Sequence, residues 1–290
     1  MSLTHTYHRN VQIDGLNIFY REAGTPGNPV LLLLHGYPSS SFMYRDLIAN
    51  LADQFHLIAP DYPGFGNSDT PAIDQFAYTF DHLAEITEKF VETLGLTRFS
   101  LYVQDYGSPV GFRIASHHPE WIESIIVQNA NAYEEGFTDA WGAFRALWAD
   151  RKPETEAAVR SFFSPDITRF FYTQGVRDLT ALSPDSWTLD QIYLDRSANQ
   201  AAQLELFYDY RNNPAHYPEW HAYFRTHSPR TLIVWGENDP FFNVDGAKAF
   251  LRDLPGAELH LLNTGHFALE EDGDQIAAHI RRFLSETTTR

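Results

Sequence analysis

The stretch Val103–Ser108 (VQDYGS) decides how the rest of this chain is interpreted. The apolar run Phe99–Val103 predicts a β-strand that ends here, and the residues that follow predict a helix. A residue at the apex of such a strand–turn–helix bend extends its side chain beyond the carboxyl edge of the sheet, and the small neighbours Gly107 and Ser108 allow the bend. Asp105 stands at that apex and is a candidate nucleophile, although an aspartate at this place also fits a helix N-cap.

Short apolar runs alternate with helical patterns on both sides of this stretch, which predicts an α/β fold with a mostly parallel central sheet flanked by helices. The apolar runs are Val30–Leu34, His56–Ala59, Phe99–Val103, Ile125–Val127, Leu232–Trp235 and Leu259–Leu262. Before them, Val11–Ile13 and Asn17–Arg21 alternate around an Asp-Gly turn, so an opening β-hairpin is predicted. Helical spacing predicts a helix over residues 80–94, with Gly95 as its C-terminal signal.

Strand patterns are absent between residues 134 and 228, where the sequence is helical, polar and rich in aromatic residues. We therefore expect a helical cap over residues 134–228, inserted into a core formed by residues 1–133 and 229–290. The aromatic side chains of the cap favour packing inside it and an apolar slot for a small-molecule substrate.

Three further motifs follow predicted strands at their carboxyl ends, where parallel sheets place their ligands. His35–Pro38 (HGYP) follows the first central strand, Trp235–Pro240 (WGENDP) follows a late strand, and Thr264–Phe267 (TGHF) follows the last strand. Together with Asp105, these motifs give the chain order nucleophile, acid, histidine. The acid is Asp239 and the histidine is His266. Glu134 or Glu135, after the fourth strand, is the alternative acid. We expect His35 to have a structural hydrogen-bonding role.

These motifs resemble those of the α/β-hydrolase superfamily, specifically its aspartate-nucleophile branch of epoxide hydrolases and haloalkane dehalogenases. The resemblance extends over nearly the whole chain, and Asp61–Ser68 (DYPGFGNS) fits the family's turn after the second central strand. It implies an α/β-hydrolase fold and a catalytic triad of Asp105, Asp239 and His266. It also implies an oxyanion hole formed by the backbone N–H groups of Tyr37 and Tyr106.

An aspartate nucleophile constrains the chemistry. A carboxylate that attacks an acyl carbon forms a high-energy anhydride, whereas attack on a saturated carbon leaves an ordinary ester. The predicted mechanism is therefore alkylation of Asp105, followed by hydrolysis of that ester by water that His266 activates with the help of Asp239. This mechanism requires neither a metal nor an organic cofactor.

The leaving group separates the two branches of the resemblance. Similar epoxide hydrolases protonate the epoxide oxygen with two cap tyrosines. The segment Phe207–Asn212 (FYDYRN) resembles a family segment late in the cap and makes Tyr210 a candidate, with Tyr172 as the weaker candidate for its partner. Haloalkane dehalogenases hold the halide with N–H donors, commonly a Trp after the nucleophile, where this chain has Tyr106. Gln104, which precedes the candidate nucleophile, resembles the residue that dehalogenases have there more closely than the one that many epoxide hydrolases have. We expect epoxide hydrolysis, with haloalkane dehalogenation and non-catalytic ligand binding as the alternatives.

Composition limits the partners and the setting. The 290 residues include 38 acidic and 21 basic ones, so a formal net charge of -17 argues against binding to nucleic acid or anionic membranes. The lack of cysteine excludes thiolate catalysis, disulfides and cysteine-ligated zinc. Neither a signal-peptide pattern nor a membrane-length apolar run occurs in the sequence, so we expect a cytoplasmic protein. A monomer and a homodimer are both open.

Overall fold

A single eight-stranded sheet organises the computed structural model, which describes residues 5–285. The strands are β1 (Tyr7–Ile13), β2 (Leu16–Ala23), β3 (Val30–Leu34), β4 (His56–Pro60), β5 (Phe99–Gln104), β6 (Ile122–Gln128), β7 (Arg230–Gly236) and β8 (Glu258–Leu262). Their order across the sheet is β1-β2-β4-β3-β5-β6-β7-β8. The β1–β2 and β2–β4 pairs are antiparallel, and all pairs from β4 to β8 are parallel. The predicted mostly parallel sheet and its opening hairpin are thus confirmed.

Helices flank the sheet and fill the interval between two of its strands. They are α1 (Arg45–Leu51), α2 (Phe80–Thr93), α3 (Gly107–His117), α4 (Gly142–Ala149), α5 (Pro153–Arg160), α6 (Pro165–Thr173), α7 (Pro184–Leu194), α8 (Ser197–Asp209), α9 (Asn213–His227), α10 (Val244–Asp253) and α11 (Ala268–Ser285). Short 3-10 turns lie at Ser41–Tyr44, Pro119–Trp121, Glu134–Gly136, Asp139–Trp141, Ser161–Phe163, Leu179–Ala181 and Tyr210–Asn212. Helices α4 to α9 all lie between β6 and β7, and we call residues 134–228 the cap segment. None of the helices described is long and apolar enough to span a bilayer.

The central strands explain where the site forms. The side chains of Leu31–Leu34 are fully buried, as are all residues of β5, because helices cover both faces of a parallel sheet. After β3 the chain turns to one side to form β4, and it returns to the other side of β3 to form β5. The crevice between β3 and β5 is therefore the switch point of the sheet, where open α/β sheets bind their ligands.

Candidate active site

A sharp backbone turn presents Asp105 at the end of β5. Asp105 has a left-handed φ of 50°, which is uncommon for a residue other than glycine, and α3 begins two residues later. The turn lies against the loop after β3 so closely that a Cβ on Gly107 would be 2.1 Å from the carbonyl oxygen of Leu34. A Cβ on Gly36 would be 2.2 Å from the Cβ of Asp105. The sequence therefore places glycine where the two loops approach each other.

The two carboxylate oxygens of Asp105 have different surroundings. Oδ1 accepts a 2.7 Å hydrogen bond from the backbone N–H of Tyr37 and another of 2.7 Å from that of Tyr106. Oδ2 lies 3.9 Å from Nε2 of His266. Because one of the N–H donors comes from the loop after β3, Asp105 does more than cap α3. The two backbone groups expected to form an oxyanion hole converge on one oxygen and leave the other facing the imidazole.

His266 and Asp239 meet at the carboxyl ends of β8 and β7. Nδ1 of His266 donates to Oδ2 of Asp239 at 2.7 Å, and both side chains are fully buried. Oδ1 of Asp239 accepts from the backbone N–H groups of Phe241 and Phe242, at 2.8 and 3.1 Å. The carboxylate is thus fixed by two backbone donors, and it fixes the imidazole in turn.

The alternative acids lie elsewhere. Glu134 and Glu135 are exposed in the 3-10 turn after β6, and Glu135 forms an ion pair with Arg252. Asp239 is accordingly the carboxylate that contacts His266.

Burial sets the electrostatics of the site. Removal from water raises the pKa of Asp105 to about 6, against the opposing effects of His266 and of the two backbone N–H donors. Burial by itself would lower the pKa of His266, but the charge and hydrogen bond of Asp239, with the charge of Asp105, outweigh it and raise that pKa. An imidazole with a raised pKa is a stronger base, which suits the removal of a proton from water.

His35 has no role in this proton chemistry. It is fully buried, its Nδ1 donates to the carbonyl of Gly36 at 3.2 Å, and its Nε2 accepts from the backbone N–H of Tyr62 at 3.4 Å. Burial lowers the pKa of His35 to about 4, so it stays neutral and holds the loop after β3 in place.

Two amide side chains complete the site, and sequence reasoning gave neither of them a catalytic place. Nε2 of Gln104 donates to Nε2 of His266 at 2.9 Å. Nδ2 of Asn129 donates to Oδ2 of Asp239 at 2.8 Å and to the carbonyl of Gly236 at 3.1 Å, while its Oδ1 accepts from the N–H of Gly236 at 2.9 Å. Both amides lie at the carboxyl end of a central strand, and polar residues at such positions are the signal that could have identified them.

Above Asp105 lies a small cavity. Apart from that carboxylate its lining is aromatic, and it consists of Tyr37, Tyr106, Trp141, Phe144, Phe171, Phe207, Tyr210, Phe241 and Phe242. Both the sheet loops and the cap segment contribute to it. An aromatic lining of this kind suits a small apolar molecule.

The two cap tyrosines nominated from the sequence have different positions. Tyr210 lines the cavity, and its hydroxyl lies beside the side chain of Asn131. Tyr172 does not line the cavity: its hydroxyl donates to Asp190 at 2.5 Å, and its ring stacks on Phe267 with centroids 4.0 Å apart. The expected role of Tyr172 as a partner acid therefore has no support in the geometry.

The indole N–H groups near the cavity are committed to backbone carbonyls. Trp141 donates to the carbonyl of Phe241 at 2.9 Å, and Trp148 donates to that of Phe207 at 2.7 Å. These donors are therefore not directed at a leaving group. Across residues 5–285, no group of three or more His, Asp or Glu side chains is arranged to hold a metal ion.

Comparisons with known proteins agree with the fold. A family model described as the alpha/beta hydrolase fold matches residues 29–273. The uncharacterized hydrolase YNR064C of Saccharomyces cerevisiae is 40% identical over 284 residues, which cover 97% of each chain. A haloalkane dehalogenase of Mycobacterium marinum is 29% identical, over 91% of this chain and 88% of its own length. Among solved structures, the epoxide hydrolase CorEH superposes with a TM-score of 0.80 at 19% identity, covering 98% of this chain and 100% of that chain.

Proposed function

Because the chain belongs to the α/β-hydrolase fold family, we propose that this hydrolase opens a small apolar epoxide through a covalent ester on Asp105. One observation carries the proposal: Oδ1 of Asp105 is held by two backbone N–H groups, while Oδ2 faces His266 at 3.9 Å. In this arrangement Oδ2 is free to attack the substrate. The ester that forms would then have Oδ1 as its carbonyl oxygen, already bound by the two N–H groups.

In the first step, Oδ2 of Asp105 forms a bond to a ring carbon of the epoxide. The bond between that carbon and the ring oxygen breaks, and its electron pair goes to the oxygen, which takes a proton from the hydroxyl of Tyr210. The product of this step is an alkyl ester of Asp105 that carries a free hydroxyl group.

In the second step, His266 takes a proton from water, and the resulting hydroxide adds to Cγ of Asp105. The negative charge develops on Oδ1, where the N–H groups of Tyr37 and Tyr106 stabilise it, each by about 3 kcal/mol as in measured oxyanion holes. Collapse of this intermediate breaks the Cγ–Oδ2 bond, and the departing alkoxide takes the proton of the added hydroxyl group. This step releases a diol that contains Oδ2 and restores the carboxylate of Asp105. The oxygen from water stays in Asp105, and the proton on His266 returns through solvent to the tyrosine.

Dehalogenation is the second candidate, favoured by the similarity to the haloalkane dehalogenase of M. marinum. The same carboxylate can displace a halide, but a halide needs bound N–H donors, and the indoles of Trp141 and Trp148 are committed to carbonyls. A tyrosine hydroxyl in the cavity supplies the proton that an epoxide oxygen needs. Non-catalytic ligand binding does not account for the buried Asp239–His266 pair directed at Asp105.

Replacing His266 with Gln tests the proposal, because it removes the base for the second step and retains the first. The His266→Gln variant is incubated with styrene oxide and, separately, with 1-bromobutane, and the peptide that contains Asp105 is examined by mass spectrometry. We expect an adduct of one styrene oxide, and none in the His266→Gln/Asp105→Asn control. An adduct from 1-bromobutane alone would select dehalogenation, and no adduct from either compound would contradict alkylation of Asp105.

A further inference from the structure

We propose that the hydroxyl of Tyr106 is the second donor to the leaving oxygen, acting together with that of Tyr210. This inference rests on the proposed function and deepens it. It gives Tyr106 two tasks, since its backbone N–H binds Oδ1 of Asp105 while its side chain acts on the substrate.

The position of the Tyr106 ring supports this assignment. Tyr106 and Tyr210 both line the cavity, with ring centroids 6.0 Å apart. Phe80 packs against both rings in T-shaped geometry, with its centroid 4.9 Å from that of Tyr106 and 5.5 Å from that of Tyr210. The two rings are therefore held side by side, one attached to the nucleophile turn and the other to the cap segment.

The availability of the hydroxyls separates Tyr106 from the other tyrosines. Among the described residues, the Tyr106 hydroxyl has no hydrogen-bond partner. Tyr37 lines the same cavity, but its hydroxyl donates to the carbonyl of Phe162 at 2.8 Å. Tyr172 donates to Asp190. Of the three tyrosines that line the cavity, Tyr106 and Tyr210 are thus the pair whose hydroxyls do not donate to a carbonyl or a carboxylate.

The charges around the pair keep both hydroxyls protonated. Burial is the main cause that raises the pKa of Tyr106 well above its ordinary value, and the negative charge of Asp105 adds to it. Burial also raises the pKa of Tyr210, and the nearby Tyr217, Asp105 and Tyr106 raise it further. Each tyrosine therefore retains its proton while the substrate binds and can donate it to the strongly basic alkoxide that forms as the ring opens.

An alkoxide in an apolar cavity needs more than one donor. The leaving oxygen gains a lone pair as its bond to carbon breaks, and water is scarce in an aromatic cavity. Two hydroxyl groups can share this oxygen, with one transferring its proton and the other donating a hydrogen bond. Donors that act only as charge develops lower the barrier of the first step without tightening substrate binding.

The test separates the two chemical steps in a Tyr106→Phe variant. The rate of adduct formation from styrene oxide is measured by rapid quench and mass spectrometry in the His266→Gln background. The rate of ester hydrolysis is measured in single turnovers with His266 present. We expect the first rate to fall about 10- to 100-fold and the second to stay within about twofold, because the backbone N–H in the oxyanion hole is retained.

Tyr62→Phe is the matched control, since the Tyr62 hydroxyl is buried near Asp105 and unpartnered but does not line the cavity. We expect it to leave both rates unchanged. Unchanged adduct formation in Tyr106→Phe would overturn the inference and leave the proposed function intact. Equal slowing of both steps would show a structural role and would also overturn it. A His266→Gln enzyme that forms no epoxide adduct would instead contradict the proposed function itself.

Discussion

Asp105 combines an uncommon backbone conformation with a buried charge. Its φ of 50° and its burial are both unfavourable for an ionised aspartate, and the two N–H donors on Oδ1 compensate only in part. The pKa of about 6 expresses this imbalance, because the folded protein holds the proton more strongly than the unfolded chain does. A poorly solvated carboxylate is reactive toward carbon, so this cost in stability fits the proposed nucleophilic role of Asp105.

We therefore expect Asp105→Asn to stabilise the protein at neutral pH while abolishing activity. A carboxyl group whose pKa rises on folding favours the folded state below its unfolded pKa near 4, and this advantage is lost as the pH rises to about 6. The variant should raise the free energy of unfolding by about 2 to 3 kcal/mol at pH 7, and the gain should shrink toward pH 4. Urea denaturation at pH 7 and at pH 4 measures this change in the free energy of unfolding.

Asp74→Asn is the control for that experiment, because Asp74 is exposed. This substitution should change the free energy of unfolding little at either pH. A loss of stability in Asp105→Asn at pH 7, or a gain that does not depend on pH, would contradict the electrostatic account of the site.

Among the elements, the turn from β5 to α3 depends on close packing against the loop after β3. Gly107 has no room for a side chain, because the obstructing atom is the backbone carbonyl oxygen of Leu34 rather than a movable side chain. The same turn carries Asp105 and the N–H of Tyr106, so any displacement moves the proposed nucleophile and one proposed oxyanion donor together. Precise placement of the proposed catalytic groups therefore depends on this contact between two strand ends.

Gly107→Ala should displace the turn, reducing stability by about 2 kcal/mol and adduct formation on Asp105 by about 100-fold. Thermal unfolding and the rate of adduct formation in the His266→Gln background measure the two effects. Gly142→Ala is the matched control, because Gly142 also begins a helix but a Cβ there would meet no atom within 4 Å. A Gly107→Ala enzyme with ordinary stability and an ordinary rate would show that the packing is not needed.

Across the whole molecule, the sequence predicted the parts that depend on the sheet. Buried parallel strands such as β3 and β5 appear as continuous apolar runs, and the residues that follow them must meet at one edge. The motifs around Tyr37, Asp239 and His266 each follow a parallel strand, so the sequence placed them at the same edge of the sheet. The Ile125–Val127 run was too short for β6, which begins at Ile122, because Glu123 and Ser124 interrupt the apolar pattern.

The positions of the cap side chains could not be predicted in the same way. Consecutive residues on a helix point about 100° apart, so Phe171 of α6 lines the cavity while Tyr172 turns away to Asp190. The contacts of Gln104 and Asn129 join residues far apart in the chain, and only the folded arrangement reveals them. The lining of the cavity is thus less predictable than the proposed triad beneath it.

Isotope labelling of Asp105 tests the central claim most directly. Enzyme in excess over styrene oxide completes a single turnover in H₂¹⁸O, and mass spectrometry then follows the label in the protein and in the diol. Since water attacks Cγ of Asp105 in the proposed mechanism, we predict one ¹⁸O atom in the peptide that contains Asp105 and none in the diol of this first turnover. Label in the diol with none in Asp105 would show that water attacks the epoxide directly, and would contradict the covalent mechanism.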